Sequence, residues 1–286
     1  MLALIIASFL SCTSVHASDL LKKVGQCSPQ KGAKTVYLVK QWHLAPDVDT
    51  TNLETGKKQA QYQNQFEIFS AISQMIAEKK VDTTVAEGCE GTMDSKTKES
   101  FNGWTFEKLA KEVNDPKYPT ILTHVLLKVE AKYKDLVKTI CGDDLSQIKY
   151  AQLALSDLRG DVGYWTRIVE NEKKPEKQKI YTDGVIEMLK LPSATNASNV
   201  LLALKKDVLD SFQKFSKANE ERDDALIRAI RRADSTLPIV AVYGGLHSED
   251  LKAKFQNEKW NCEIYEPKSY QNSEEKLLDD FRKLTR

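Results

Sequence analysis

One stretch near the end of the chain constrains the fold most strongly: the run Leu-Pro-Ile-Val-Ala-Val-Tyr-Gly-Gly-Leu-His from Leu237 to His247. A short apolar run between a proline and two glycines is typical of a buried parallel strand. The glycines let the chain turn sharply away from the sheet. Open α/β sheets bind their ligands beyond the carboxyl ends of the strands, so His247 is a candidate site residue. The competing interpretation is an ordinary strand-to-helix turn that carries a surface histidine.

Three further apolar segments lead into polar or charged side chains in the same way. Because the carboxyl ends of parallel strands meet at one edge of a sheet, we expect the side chains that follow these segments to converge. The two carboxylates after the second segment exceed what a simple turn requires, whereas Asp144 after the third is also a good helix N-cap. Segment 35–39 is followed by His43, segment 81–86 by Glu87 and Glu90, and segment 136–141 by Asp143 and Asp144.

Strand-like and helix-like segments alternate along the 286 residues, which predicts an α/β fold with a mainly parallel central sheet flanked by helices. The length suits a single domain, which we place at 18–286, with a charged, mostly helical insertion at about 92–135. The polar stretch 18–34 is expected to be irregular, and 261–265 is expected to be a fifth strand at an edge of the sheet. Helices are predicted at 59–79, 145–172, 185–191, 199–232, 248–254 and 274–284, with a charged break at 173–179.

The segment 1–17 is apolar, contains no Lys, Arg, Asp or Glu, and is too short to span a bilayer. It predicts a signal peptide that is cleaved after Ala17, and therefore a periplasmic or secreted protein. The alternative is a lipoprotein signal, in which Leu10-Ser11-Cys12 directs attachment of lipid to Cys12. Contact with a membrane is expected only in that second case.

Four cysteines remain after the signal segment: Cys27, Cys89, Cys141 and Cys262. An exported chain with this number is expected to form at least one disulfide and can form two, with three possible connectivities. Cys89 and Cys141 both fall at predicted strand ends, so they can be neighbours, but the spacing leaves the pairing open. No Cys/His spacing typical of a zinc site is present.

The charge balance argues against a nucleic-acid partner. The chain has 42 basic and 41 acidic residues, thoroughly mixed, for a net charge of +1. Binding to nucleic acid needs a basic stripe or basic residues interleaved with aromatic ones, and neither occurs. No P-loop, GxGxxG, GxSxG or HExxH motif is present either. We therefore expect a small-molecule or peptide substrate.

The polar groups at the strand ends predict a functional site, and two kinds of chemistry suit its residues. Two histidines with one or two carboxylates are a plausible ligand set for zinc, manganese or iron. The same side chains can act as general acid and base without a metal. A buried group of carboxylates also needs a cation, and Arg222 is the best candidate for a bidentate clamp on a carboxylate or on substrate.

The order of these motifs resembles the superfamily of TraB, Tiki, erythromycin-esterase-like and ChaN-like proteins. In that superfamily a first strand ends in a histidine motif, and a second ends in Glu-Gly, often with another Glu. A later helix begins with Glu-Arg-Asn or similar, and a last strand ends in Gly-x-x-His. The matching pieces here are 36–43, 85–90, Glu221-Arg222-Asp223 and 242–247, and the resemblance covers roughly 35–251.

The resemblance implies an erythromycin-esterase/ChaN-like fold and a site of His43, Glu87, Arg222 and His247. Glu90, Asp143 and Asp223 are additional candidates. Two positions depart from the pattern, because Lys40 replaces a glycine three residues before the first histidine and Asp223 replaces the asparagine after the arginine. Lys40 brings a side chain into a position that is usually kept clear, which bears directly on the geometry of a metal site.

The activities in this superfamily are diverse: the Tiki branch is described as metal-dependent proteases, the esterase branch opens macrolactones without metal, and the ChaN branch binds haem iron. We expect an exported hydrolase that uses a divalent metal or acid–base chemistry alone. His43 and His247 would be metal ligands or acid–base groups, Glu87 a metal ligand or the general base, and Arg222 the group that stabilises charge in the transition state. The alternatives are an uptake protein that binds haem or metal, and an envelope protein whose site has decayed.

Overall fold

The computed structural model describes residues 17–42, 60–91, 126, 129–130, 132–133, 136–272, 275–276, 278–279 and 281. Their centre is a six-stranded sheet in the order β1-β6-β2-β5-β3-β4. Strands β6, β2, β5, β3 and β4 run parallel to one another, and β1 pairs with β6 in the antiparallel direction. The strands are β1 (Leu21–Gln26), β2 (Thr35–Gln41), β3 (Thr83–Ala86), β4 (Lys138–Cys141), β5 (Ile239–Gly244) and β6 (Asn261–Pro267). The predicted α/β class with a mainly parallel sheet is confirmed.

Helices cover both faces of this sheet, so that β5 in the middle is buried along its whole length. Side chains alternate across a strand, and those of β5 therefore enter two cores: Val240 and Val242 pack towards α2, whereas Ile239, Ala241 and Tyr243 pack towards α5 and α6. The helices are α1 (Ala17–Leu20), α2 (Ala60–Ala77), α3 (Leu145–Glu170), α4 (Pro175–Met188), α5 (Ala197–Arg232) and α6 (Ser248–Asn257), and a 3-10 turn spans Gly245–His247.

Two expectations about the ends of the sheet were wrong. The stretch 18–34 is not irregular, because it contains β1, and β6 is not an edge strand, because β1 covers its outer side. The pattern of β1 is hard to detect, since only its first residue, Leu21, is fully buried and the rest of this edge strand is polar or partly exposed. The disulfide between Cys27 and Cys262 links the end of β1 covalently to β6.

Helices α3, α4 and α5 form an arm beside the sheet, in which α3 packs along α5 and α4 contacts both. The charged break predicted at 173–179 was wrong, because α4 begins at Pro175. Proline is favoured at the first position of a helix, where its missing N–H is not needed. Asp144 caps α3 as predicted, and its Oδ1 accepts hydrogen bonds from the backbone N–H groups of Ser146 and Gln147 at 3.0 and 3.2 Å.

Several predicted segments lie wholly or largely outside the described residues: the signal segment with Cys12, and the insertion at 92–135, of which the residues described at 126, 129–130 and 132 are helical. Residues 275–276, 278–279 and 281 are helical too, in agreement with the predicted terminal helix. Within the described part of the chain, no helix is both long enough and apolar enough to span a bilayer.

Candidate functional site

The four strands with polar ends are consecutive neighbours in the sheet, in the order β2-β5-β3-β4. Their register aligns the carboxyl ends, because Gln41 pairs with Gly244, and Ala86 pairs with both Val242 and Cys141. Glu87 and Asp143 follow directly after β3 and β4. The parallel register thus places these groups side by side at one rim, as the sequence predicted for Glu87, Asp143 and His247.

Glu87 is the centre of the resulting cluster and is only 2% exposed. Its Oε2 accepts hydrogen bonds from the Gln41 Nε2 at 2.9 Å and from the backbone N–H of Gly244 at 2.6 Å. Its Oε1 accepts a charge-assisted bond from Nη2 of Arg222 at 2.5 Å. Both carboxylate oxygens are therefore engaged by donors, which fix the position of Glu87 at the centre of the cluster.

Arg222 bridges Glu87 to a second buried carboxylate, Asp143. Its Nε and Nη2 donate to the two oxygens of Asp143 at 3.0 and 2.9 Å, which is the bidentate geometry that suits a guanidinium. Asp143 also accepts the backbone N–H groups of Gly88 and Asp144 at 2.9 and 2.8 Å. Burial alone would lower the pKa of Arg222, but Glu87 and Asp143 together raise it above its ordinary value. The predicted clamp of Arg222 on a carboxylate is therefore present, and it holds two.

His247 forms a second buried hydrogen-bonded pair next to this one. Its Nδ1 lies 2.6 Å from the Oδ1 of Asp223, and both side chains are almost fully buried. Its Nε2 points towards the Oε1 of Glu87 and is 4.0 Å from it, beyond hydrogen-bonding distance. Burial raises the pKa of Asp223 above its ordinary value, although the imidazole of His247 partly offsets this rise. With Asp223 as acceptor, Nδ1 carries the proton and the lone pair of Nε2 faces the cluster.

Tyr243 lies behind both pairs and joins the sheet to α5. Its ring meets that of His247 edge to face, with centroids 4.9 Å apart. Its hydroxyl is within 3.2 Å of the carbonyl oxygen of Gly142 and 3.3 Å of that of Arg222, so its single proton can serve either. Burial raises the pKa of Tyr243 well above its ordinary value, and the nearby Asp143 carboxylate adds to this. The phenol therefore acts as a neutral support for the imidazole.

A disulfide ties the two carboxylate-bearing loops together. Cys89 is two residues after Glu87, Cys141 is two residues before Asp143, and the two cysteines are bonded to each other. Gly88, between Glu87 and Cys89, has a φ of +83°, which favours glycine. The loop then runs back along β4, where Asp143 N–H donates to the Cys89 carbonyl at 3.0 Å. The two disulfides confirm the expectation of at least one and fit a protein that folds in an oxidising compartment.

The candidate Glu90, and Lys40, which departs from the superfamily pattern, both lie apart from Glu87. Glu90 is exposed and lines a cavity of about 370 Å³ between β4 and α5, which reaches Asp143 but is not lined by Glu87 or His247. Lys40 does not enter the cluster, because its Nζ bonds to Glu266 at 2.9 Å and to Glu275 at 3.0 Å. The lysine that departs from the family pattern therefore leaves the Glu87 cluster unobstructed.

His43 lies outside the described residues, but both backbone groups of the preceding residue, Trp42, are hydrogen-bonded. The backbone N–H of Trp42 donates to the Asn64 Oδ1 at 2.8 Å, and the carbonyl of Trp42 accepts from the Gln65 Nε2 at 2.8 Å. Both amides belong to α2. These two hydrogen bonds fix the backbone of Trp42 against α2.

The described part of the predicted ligand set does not fit a divalent metal. No group of three or more His, Cys, Asp or Glu side chains within the described residues is arranged to hold one. Each oxygen of Glu87 accepts from at least one donor, one of which is the positive guanidinium of Arg222, and Nδ1 of His247 is bonded to Asp223. Among the described members of the predicted ligand set, Nε2 of His247 is the ring nitrogen that faces the cluster without a hydrogen bond.

Sequence reasoning missed Gln41 and Tyr243 as members of the cluster. Gln41 is the last residue of β2, stands two positions before His43, and is buried although it is polar. A polar residue at the end of an apolar strand, close to a candidate histidine, could have indicated from sequence that Gln41 belongs to the site. Tyr243 carries no such signal, since a tyrosine at the end of an apolar run is ordinary core composition. Asp223, an additional candidate, is the partner of His247.

We found no match for this chain among protein-family models, curated proteins or solved structures.

Proposed function

We propose that this protein is an exported hydrolase in which His247, oriented by Asp223, activates the attacking water. The observation that carries the proposal is the buried His247–Asp223 pair, with a contact of 2.6 Å at Nδ1 and with Nε2 directed towards the Glu87–Arg222 pair. A carboxylate that fixes the tautomer of a histidine, and so presents the other ring nitrogen as a base, is the arrangement found in hydrolytic triads. The contacts favour His247 over Glu87 as the general base.

In this mechanism Nε2 of His247 removes a proton from water as the oxygen attacks the carbonyl carbon of an ester or amide. A tetrahedral intermediate forms, and the imidazolium then returns the proton to the leaving oxygen or nitrogen as the carbon–heteroatom bond breaks. Asp223 stabilises the imidazolium in between. General base catalysis of this kind contributes about 10²–10⁴-fold to the rate.

Glu87 and Arg222 then act mainly by shaping the site. Four of the five N–H groups of Arg222 are used in its contacts with Glu87, Asp143 and Asn219, and one on Nη1 has no partner among the described residues. That single N–H is the group of Arg222 that can bind developing negative charge. The Oε1 of Glu87 lies 4.0 Å from Nε2 of His247, and the contacts of Glu87 with Arg222, Gln41 and Gly244 hold it there.

The substrate class that fits this proposal is a small molecule or peptide with a hydrolysable ester or amide bond, as in the superfamily that the sequence resembles. Export is part of the proposal. The two disulfides support it, together with the apolar segment at 1–17, which we assign as a cleaved signal. A periplasmic or secreted location follows from that assignment.

The test is a hydrolysis screen on the purified chain against esters, lactones and short peptides, with His247→Gln and Asp224→Asn assayed alongside. Asp224 is next to Asp223 but forms an ion pair with Lys254, so its variant is a matched control. We expect activity in the wild type and in Asp224→Asn, and its loss in His247→Gln at a temperature at which circular dichroism shows that this variant is folded.

Two further arms separate the alternatives. A chelator such as EDTA should leave the rate unchanged if no metal takes part, and a haem titration should give no absorbance change that depends on His247. Haem absorbance that is lost in His247→Gln, together with a wild type inactive on every substrate, would contradict the hydrolase and favour the uptake protein. Identical behaviour of all variants in every assay would favour the decayed site.

A further inference from the structure

The arm formed by α3, α4 and α5 contains two separate hydrophobic clusters instead of one continuous core. The proximal cluster lies next to the sheet and the distal cluster lies at the far end, where α4 packs. Between them, the seam of α3 and α5 is interrupted. The proximal cluster contains Ala151, Ala154, Leu158, Val208, Phe215, Ala218, Leu278 and Phe281, and the distal cluster contains Ile168, Val185, Val200 and Leu204.

The residue at the interruption is Asp161, which occupies a core position of α3 between Leu158 and Ile168. It is only 3% exposed, and its buried Oδ2 has no hydrogen-bond partner among the residues that the structure describes. The charges that act on it are both carboxylates: Asp207 from α5 and Asp157 from its own helix, with none from α4. A buried carboxylate without a cation or a donor is costly in its ionised form. The arm is therefore weakest at this point whenever Asp161 is charged.

The helix is also locally pliant at the same point. Gly160 and Gly163 flank Asp161, and a side chain at either position would meet nothing within 4 Å. Glycine in a helix interior destabilises it by about 1 kcal/mol relative to alanine, so open space alone does not account for two of them. Three features therefore coincide within four residues: the gap between the two hydrophobic clusters, the helix weakened by two glycines, and a buried carboxyl group with no compensating charge among the described residues.

From this coincidence we propose that Asp161 is a proton-operated hinge, which keeps the distal half of the arm packed when its carboxyl group is protonated and loosens that half when it ionises. The moving part comprises the end of α3 beyond Gly163, all of α4, and the start of α5 before Asp207. The sheet and the Glu87 cluster lie outside this moving part.

The pH range follows from the sign of the shift. Burial, together with the nearby Asp207 and Asp157 carboxylates, raises the pKa of Asp161 from 3.8 to about 7. When the distal arm opens and Asp161 meets water, the value returns towards the ordinary one. The closed state thus holds the proton more tightly than the open one, so opening becomes more favourable as pH rises from about 4 to 7 and then levels off.

Hydrogen–deuterium exchange on the full chain tests this, read out on the amides of 164–170, 175–188 and 197–206. After correction for the intrinsic rate, the opening constant of these amides in the wild type should rise by up to tenfold per pH unit between pH 5 and 7, since one proton is released. Asp161→Asn should remove this dependence and lower the opening at pH 8. Asp210→Asn, an exposed change on α5, should behave as the wild type.

Two more variants check the mechanism. Asp207→Asn removes one repelling charge and should move the rise to lower pH. The double change Gly160→Ala with Gly163→Ala should reduce opening at every pH while its dependence on pH remains. Equal pH dependence in the wild type and Asp161→Asn would overturn the proposal, as would a wild type in which the corrected opening does not change with pH.

Discussion

Arg222 and Asp223 are consecutive residues of α5, and each holds a different member of the candidate site: Arg222 binds Glu87 and Asp223 binds His247. One turn of one helix thereby sets the 4.0 Å separation between the Nε2 of His247 and the Oε1 of Glu87. A shift of α5 would move both pairs together. The relationship explains why the helix packs so closely on the strands at this point, where Tyr243 contacts its backbone.

Loss of the guanidinium should destabilise the fold strongly. Arg222→Gln leaves Glu87 and Asp143 as buried carboxylates without their counter-ion, and breaking a buried pair in this way costs about 3–5 kcal/mol. Arg231→Gln is the matched control, because Arg231 forms an exposed pair with Glu258, and such pairs contribute about 0–1 kcal/mol. Urea unfolding measures both. Equal midpoints for the two variants would contradict a structural role for Arg222.

The two disulfides should differ in what their removal does to the site. Replacing Cys89 and Cys141 with serine should lower the free energy of unfolding by about 2–4 kcal/mol and also reduce any hydrolytic rate, because the bond joins the loops of Glu87 and Asp143. Replacing Cys27 and Cys262 should lower stability by a comparable amount, since that bond fastens β1 to β6 away from the cluster. The catalytic rate of this Cys27/Cys262 variant should be retained. A reversed pattern of rates would refute the assigned role of the Cys89–Cys141 bond.

Gly142 should not tolerate a side chain. A Cβ there would lie 2.4 Å from Cγ1 of Val85 and 2.9 Å from Cδ1 of Leu226, so Gly142→Ala overpacks the contact between β3 and α5. Overpacking of this kind costs about 1–3 kcal/mol. Gly160→Ala, where a Cβ meets nothing within 4 Å, should instead stabilise the chain by about 0.5–1 kcal/mol. Thermal unfolding measures both variants, and melting temperatures that shift in the same direction would contradict this prediction.

The parallel core and its polar rim were predictable from sequence because their signals are local. The apolar run before His247 and the Glu-Gly pair after β3 each identify a strand end, and the topology brings such ends together. The antiparallel β1 and the helix α4 were not predictable. The first is an edge strand with one fully buried residue, Leu21, and the second begins at a proline within a charged segment.

The partners inside the cluster depend on long-range packing, which no local pattern encodes. Asp223 was a candidate because of its place after Arg222, but its contact with His247 results from how α5 sits on the sheet. The bond from Gln41 to Glu87 likewise requires β2 and β3 to flank β5. Residue types at strand ends thus predict which groups meet, whereas the assignment of each hydrogen bond needs the three-dimensional register.

A double-mutant cycle of His247→Gln and Asp223→Asn, assayed on the substrate that the screen identifies, tests whether the two residues act as one base. If the two residues act as one base, each single change removes most of the same contribution, and kcat/KM of the double variant should equal that of His247→Gln. We expect a loss of about 10²–10⁴-fold in all three. Losses that multiply in the double variant, or an Asp223→Asn enzyme as active as the wild type, would contradict the account.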